Sequence, residues 1–152
     1  MKLVKTHNNA YVFLVGLGER RLLQQLIALL QQLPLNCPPI SKGLQDGAKR
    51  AERQEMLNTF LKEQRAETIR DTLVLLADEK FTKAKQIGAL YWSISKVDLE
   101  LILMTLNDVR VSCWYVLGQP DPTKPQKESM MAAAMELAGF FEEHLLDLTQ
   151  HD

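Results

Sequence analysis

Residues 95–118 read SKVDLELILMTLNDVRVSCWYVLG, and the fold turns on where this stretch is placed. Leucine, isoleucine, valine and methionine recur on almost every side of a helix drawn through it. A helix that is apolar all round is a buried one, so 96–117 is expected to be the central buried helix of the domain. Ser95 is a good N-cap, with Asp98 three residues on in capping-box position. Gly118 is a suitable stop, and Pro120, Pro122 and Pro125 follow it. One polar cluster interrupts the middle of the stretch: Asn107, Asp108 and Arg110.

Working outward, the chain opens with two short runs on either side of His7-Asn8-Asn9. β-Branched and aromatic residues around an Asn-rich turn predict a β-hairpin over about 2–15, which must lean on a helical body because isolated hairpins are marginal. From Glu19 to Leu33, leucines and Ile27 repeat at steps of three and four, predicting a core helix that Pro34 ends. Three Pro and two Gly in residues 34–47 mark a surface loop suited to mobility or binding. A second helix is expected over about 48–77, with Met56, Leu57, Phe60 and Leu61 facing inward and mixed charges outward. Residues 78–88 read as an irregular connection or a short helical turn, and ALYWSI (89–94) as a short extended segment. A last helix is expected over 126–149. The fold class that follows is mainly α: a helical bundle around the buried helix 96–117, with a small N-terminal β-hairpin. At 152 residues, one domain spanning 1–152 is the default.

Composition narrows the function classes. The net charge is −1, so no global field favours nucleic acid or an anionic membrane. The charge is uneven: eleven Lys/Arg against six Asp/Glu in residues 1–70, two against seven in residues 121–152. Such asymmetry can steer a partner or set two copies head to tail. No apolar run reaches the roughly 18 residues of a membrane span, and no signal peptide opens the chain, so a cytoplasmic location without membrane contact is expected.

The chemistry-bearing residues are few. Arg110 inside a buried helix requires a carboxylate, because an isolated charge out of water is too costly. Glu142, Glu143, Asp147, Glu67 and Asp71 are the candidates. With that pairing, Asn107, Asp108 and Arg110 read as a structural polar cluster that fixes helix packing. His144 and His151 lie two helical turns apart, too far to share a metal. Cys37 and Cys113 form no Cys-x-x-Cys pattern, which gives neither a disulfide framework nor a zinc site. Cys113 reads as a core thiol and Cys37 as a loop thiol with nothing cationic to lower its pKa. No catalytic residue, cofactor or metal is expected. Lys49, Arg50 and Arg53 are the residues that would meet phosphates in a nucleic-acid complex, but Glu52, Glu55 and Glu63 dilute them.

The run Leu106-Asn107-Asp108-Val109-Arg110, continuing to Leu117-Gly118, resembles the Leu-Asn-Asp-x-Arg tract of a bacterial family catalogued as domain of unknown function 2017. The hairpin-like opening, the leucine-rich helix from Glu19 and a last helix with Phe140, Phe141, Glu142 and Glu143 are similar to that family in order. The resemblance implies a mainly helical single domain with no established enzymatic activity. It also implies kinship with oxidative-stress transcriptional regulators that carry a Cys-x-x-x-Cys switch, a pair with no counterpart here. The function expected is therefore non-enzymatic: protein–protein contact with a partner the sequence does not name, regulatory in kind, with a DNA-binding regulator as the alternative. The long amphipathic helices would serve a homodimer as readily as a monomeric core.

Overall fold

Asn8 and Asn9 hold the backbone at φ 40° and 68°. These are the left-handed angles that a two-residue type I′ turn needs and that asparagine tolerates. They fold β1 (Lys2–His7) onto β2 (Ala10–Gly16). The computed structural model describes residues 1–35, 39, 47–125 and 127–150. In it, the hairpin is only half of a sheet. β3 (Phe81–Lys83) and β4 (Ala89–Ser95) complete it in the order β1-β2-β4-β3, with every pair antiparallel.

The expected fold class, a mainly α bundle with a small hairpin, is thus corrected to α+β: helices packed on a four-stranded antiparallel sheet. The physical reason lies in β2. It is apolar at nearly every position, and the hairpin leaves one side of its peptide groups unpaired. Buried backbone groups must be paired. β4 meets that need over its whole length, from Ala10 opposite Ser95 to Gly16 opposite Ala89. Residues 78–88, expected as an irregular connection or a short helical turn, supply a 3-10 turn (Asp78–Lys80) and then a strand the sequence did not announce, β3. Tyr11, Phe13, Val15, Trp92 and Ile94 point from the sheet into the core, while Val12, Leu14 and Tyr91 lie half-buried on the other face.

Four helices occur among the described residues. They are α1 (Leu17–Leu29), α2 (Gly47–Leu75), α3 (Lys96–Val116) and α4 (Met130–Thr149). Ser95 caps α3, accepting from the Asp98 N–H at 3.0 Å while the Asp98 carboxylate accepts from the Ser95 N–H at 3.3 Å. Ser129 caps α4 in the same way, through the Ala132 N–H at 3.1 Å. The core is built on the fully enclosed Phe13, Leu23, Ile27, Trp92, Ile102, Leu106 and Phe141.

Two expectations about burial fail. α3 is not enclosed on all sides: Val97, Met104, Val111 and Val116 stand in solvent, and only a stripe including Leu99, Ile102, Leu106 and Val109 is buried. Met56 and Phe60 do not face inward; they are 66% and 55% exposed. The cause is register. α2 runs antiparallel to α3, with Thr72 against Thr105 and Arg65 against Ser112. α3 stops at Val116, so the first turns of α2 extend past its end, and no described residue of α2 before Ile69 is buried.

The other end of α2 is tied down. Helix C-termini leave carbonyls without partners. Here the Leu75 carbonyl accepts from Trp92 Nε1 at 2.9 Å. The Leu76 carbonyl accepts from Arg20 Nη2 and Gln24 Nε2, each at 2.9 Å. None of the described helices is long and apolar enough to cross a membrane.

Candidate functional site

At 100° per residue, neighbouring polar side chains on α3 need not share a face. Arg110 turns toward α4, with Asn107 hydrogen-bonded to it, whereas Asp108 lies in the recess beside α2, so Arg110 and Asp108 open onto different recesses.

The first recess is a cleft of about 360 Å³ between α2 and α3, lined by Leu61, Arg65, Thr68, Met104, Asp108 and Val111 among others. Arg65 donates to the Leu33 carbonyl at 2.9 Å and to Ser112 Oγ at 2.8 Å, which pins the end of the α1 segment and α3 to α2. Burial lowers the Arg65 pKa, and Asp108 partly restores it. Burial raises the Asp108 carboxyl above its ordinary value, against the pull of Arg65. Perturbed groups in a cleft are the usual mark of a functional site, but structural networks do the same. Arg65 already spends donors on the protein's own oxygens, which makes it a clasp between elements.

The second recess is a groove of about 430 Å³ whose walls are Trp114, Pro120, Pro122 and Met135. Its construction follows from the end of α3. The Gly118 N–H donates to the Tyr115 carbonyl and the Gln119 N–H to the Trp114 carbonyl, at 3.0 and 2.9 Å. This is the Schellman closure, and it needs Gly118 at φ 80°. Gln119 follows at φ 56° and turns the chain back along the helix. Trp114 Nε1 then donates to the Pro120 carbonyl at 3.1 Å, which fixes the indole as a wall. Gly139 of α4 leaves the floor low; a Cβ there would meet Arg110 Cδ at an ordinary 3.6 Å.

Charges sit at the rim of this groove: Arg110 and Glu136. Arg110 was expected to be enclosed, yet its side chain is 47% exposed. Its carboxylate is Glu142, one of the five candidates, with Nε 3.6 Å from Oε2. Asn107 Oδ1 accepts a shorter bond from Arg110 Nη2 at 2.9 Å. The buried Glu142 Oε2 has no hydrogen bond among the described residues, so the guanidinium compensates it by charge alone. Arg110 is therefore aimed along the rim and only half desolvated.

The remaining sequence candidates lie elsewhere. Lys49 and Arg53 are exposed on the extended half of α2, and Arg50 is half-buried. None of the three makes an ion pair among the described residues. Cys113 is buried, and burial pushes its thiol pKa up. His144 Nε2 donates to the Met1 carbonyl at 2.9 Å. Cys37, His151 and most of the 34–47 loop lie outside the described residues. No three His, Cys, Asp or Glu side chains among the described residues converge on one point.

The groove was not foreseen from the sequence, although its signal was there. A glycine stop followed by prolines, one turn after a tryptophan, returns the chain onto that tryptophan. No family model, curated protein or solved structure matches this chain.

Proposed function

We propose that this protein acts without catalysis, in the cytoplasm, by holding a partner protein in the Trp114 groove. The observation that carries the reading is a solvent-open apolar trough with a tryptophan wall and an arginine at its rim. Trp and Arg are the residue types in which binding energy concentrates at protein interfaces. The partner segment suited to it inserts an apolar side chain between Trp114 and Met135. Its flanking charges meet Arg110 and Glu136.

A photo-crosslinking residue at Pro122 tests this in living cells, with the same residue at Ile87 as control. Ile87 is fully exposed and takes no part in the trough's lining. The expected result is a discrete adduct from position 122, none from 87, and loss of the adduct in Met135→Glu. A folded protein that yields no adduct at 122, or the same adducts at both positions, overturns the reading.

A DNA-contacting regulator is the second reading. It rests on the family resemblance of the Asn107–Arg110 tract and on Lys49 and Arg53 standing in solvent at the end of α2. Phosphate contacts would make duplex binding fall steeply with salt. No binding at low salt removes this reading and leaves the first untouched.

A further inference from the structure

The outward face of α2 carries a pattern the groove does not use. Lys49, Arg53, Met56, Phe60, Glu63 and Glu67 follow one another at steps of four, three, four, three and four residues. That is the seam spacing of a coiled coil. At 3.6 residues per turn the six fall within about 80° of one another. All six are exposed. The side that meets the body of the protein carries Leu61, Arg65, Thr68, Ile69 and Thr72 and is turned well away from them.

The order of chemistry along this seam is two cations, two apolar side chains, two carboxylates. Laid against a second copy of itself running the opposite way about a two-fold axis at residue 58, it complements itself at every position. Lys49 comes opposite Glu67, Arg53 opposite Glu63, and Met56 opposite Phe60. Each contact occurs twice, as an isologous interface requires. The flanks add no conflict, since Glu52 falls beside Ala66 and Arg50 beside Gln64. A parallel arrangement would instead set Lys49 against Lys49 and Glu67 against Glu67. The seam spans about 27 Å at 1.5 Å per residue, on the face of α2 turned away from the body.

We infer that this protein forms a homodimer through antiparallel pairing of the Lys49–Glu67 face of α2 with the same face of a second copy. The Met56 and Phe60 pairs form the apolar centre, and the four ion pairs set the register. The inference concerns a different surface and a different occupant from the Trp114 groove, so either can fail while the other stands.

The test is sedimentation equilibrium of the full chain from micromolar to several hundred micromolar. The wild type is expected at twice 17.3 kDa, with dissociation favoured as salt rises. Lys49→Glu with Arg53→Glu makes the seam acidic throughout, and Glu63→Lys with Glu67→Lys makes it basic throughout. Each double variant alone is expected to be monomeric with wild-type helicity by circular dichroism. An equimolar mixture of the two is expected to restore a dimer containing one of each. A wild type that stays monomeric over the whole range overturns the inference. So does a dimer that survives both reversals, or a mixture that fails to associate.

Discussion

Arg20 shows how much one side chain can organise. Its guanidinium donates to the Leu76 carbonyl, meets Asp78 at 2.6 Å and lies 4.3 Å over the Phe81 ring. It thereby joins α1, the end of α2 and β3 at one point, with a cation placed at a helix C-terminus, where the helix dipole favours it. Arg20→Ala should destabilise the protein by about 1.5–3 kcal/mol, the usual worth of hydrogen bonds made by a charged group, although Gln24 keeps the Leu76 carbonyl satisfied; a urea melt with an unchanged midpoint would refute that. Asp108 behaves in the opposite sense. Burial raises its carboxyl pKa over the pull of Arg65, so ionisation opposes folding. Below the ordinary value of 3.8 the group is protonated in both states and has no effect. The penalty grows as pH rises from 3.8 toward the higher folded value and is complete above it. Asp108→Asn should therefore stabilise the protein at neutral pH, modestly because part of the residue remains in contact with water. The gain should vanish near pH 3.5, as paired thermal melts would show. The sequence held part of this. The one-residue step from Asn107 to Asp108 already turns them apart, but which neighbour each meets depends on elements 30 or more residues away.

The α2–α3 contact carries a small conflict of hydrogen bonding. Thr72 Oγ1 and Thr105 Oγ1 lie 2.9 Å apart in the core, and each also approaches the carbonyl four residues back, at 2.7 and 2.8 Å. Two hydroxyl protons cannot fill three bonds, so one contact always goes without. Thr72→Val alone should cost about 0.5–1.5 kcal/mol, the net worth of a lost hydrogen bond, because Thr105 still donates to the Leu101 carbonyl. The double Thr72→Val, Thr105→Val variant should lose less than the sum of the two single losses, since the shared Thr72–Thr105 contact is lost only once. A double-mutant cycle showing simple additivity would contradict this account. At this scale the sequence was legible where local chemistry decides. The Ser95 cap, the Gly118 stop and the Asn8-Asn9 turn all announce themselves. It was illegible where a partner decides. Met56 and Phe60 have helical spacing, but spacing says only that they share a face, not that the body of the protein reaches them. β3 has three residues, too few for alternation to register.

For the molecule as a whole, the pairing of β2 with β4 outweighs any single contact. The two strands are adjacent in space, but α1 and α2 separate them in the chain. That separation is why a hairpin was readable and a four-stranded sheet was not: long-range strand pairing leaves no periodic trace. It also predicts that a fragment of residues 1–88 will not hold β2 in a sheet. Its Phe13 and Val15 amides should exchange with solvent at nearly unprotected rates, whereas protection equal to the full chain would show that the hairpin stands alone. The same topology bears on how the protein is made. During synthesis β2 emerges early, and at 5–20 residues per second its central partner follows roughly 4–16 s later. For that interval the most apolar strand of the nascent chain has one open edge and no sheet to enter. Slowing the ribosome between codons 17 and 88 should therefore raise the fraction of chains that aggregate before Ser95 has been added.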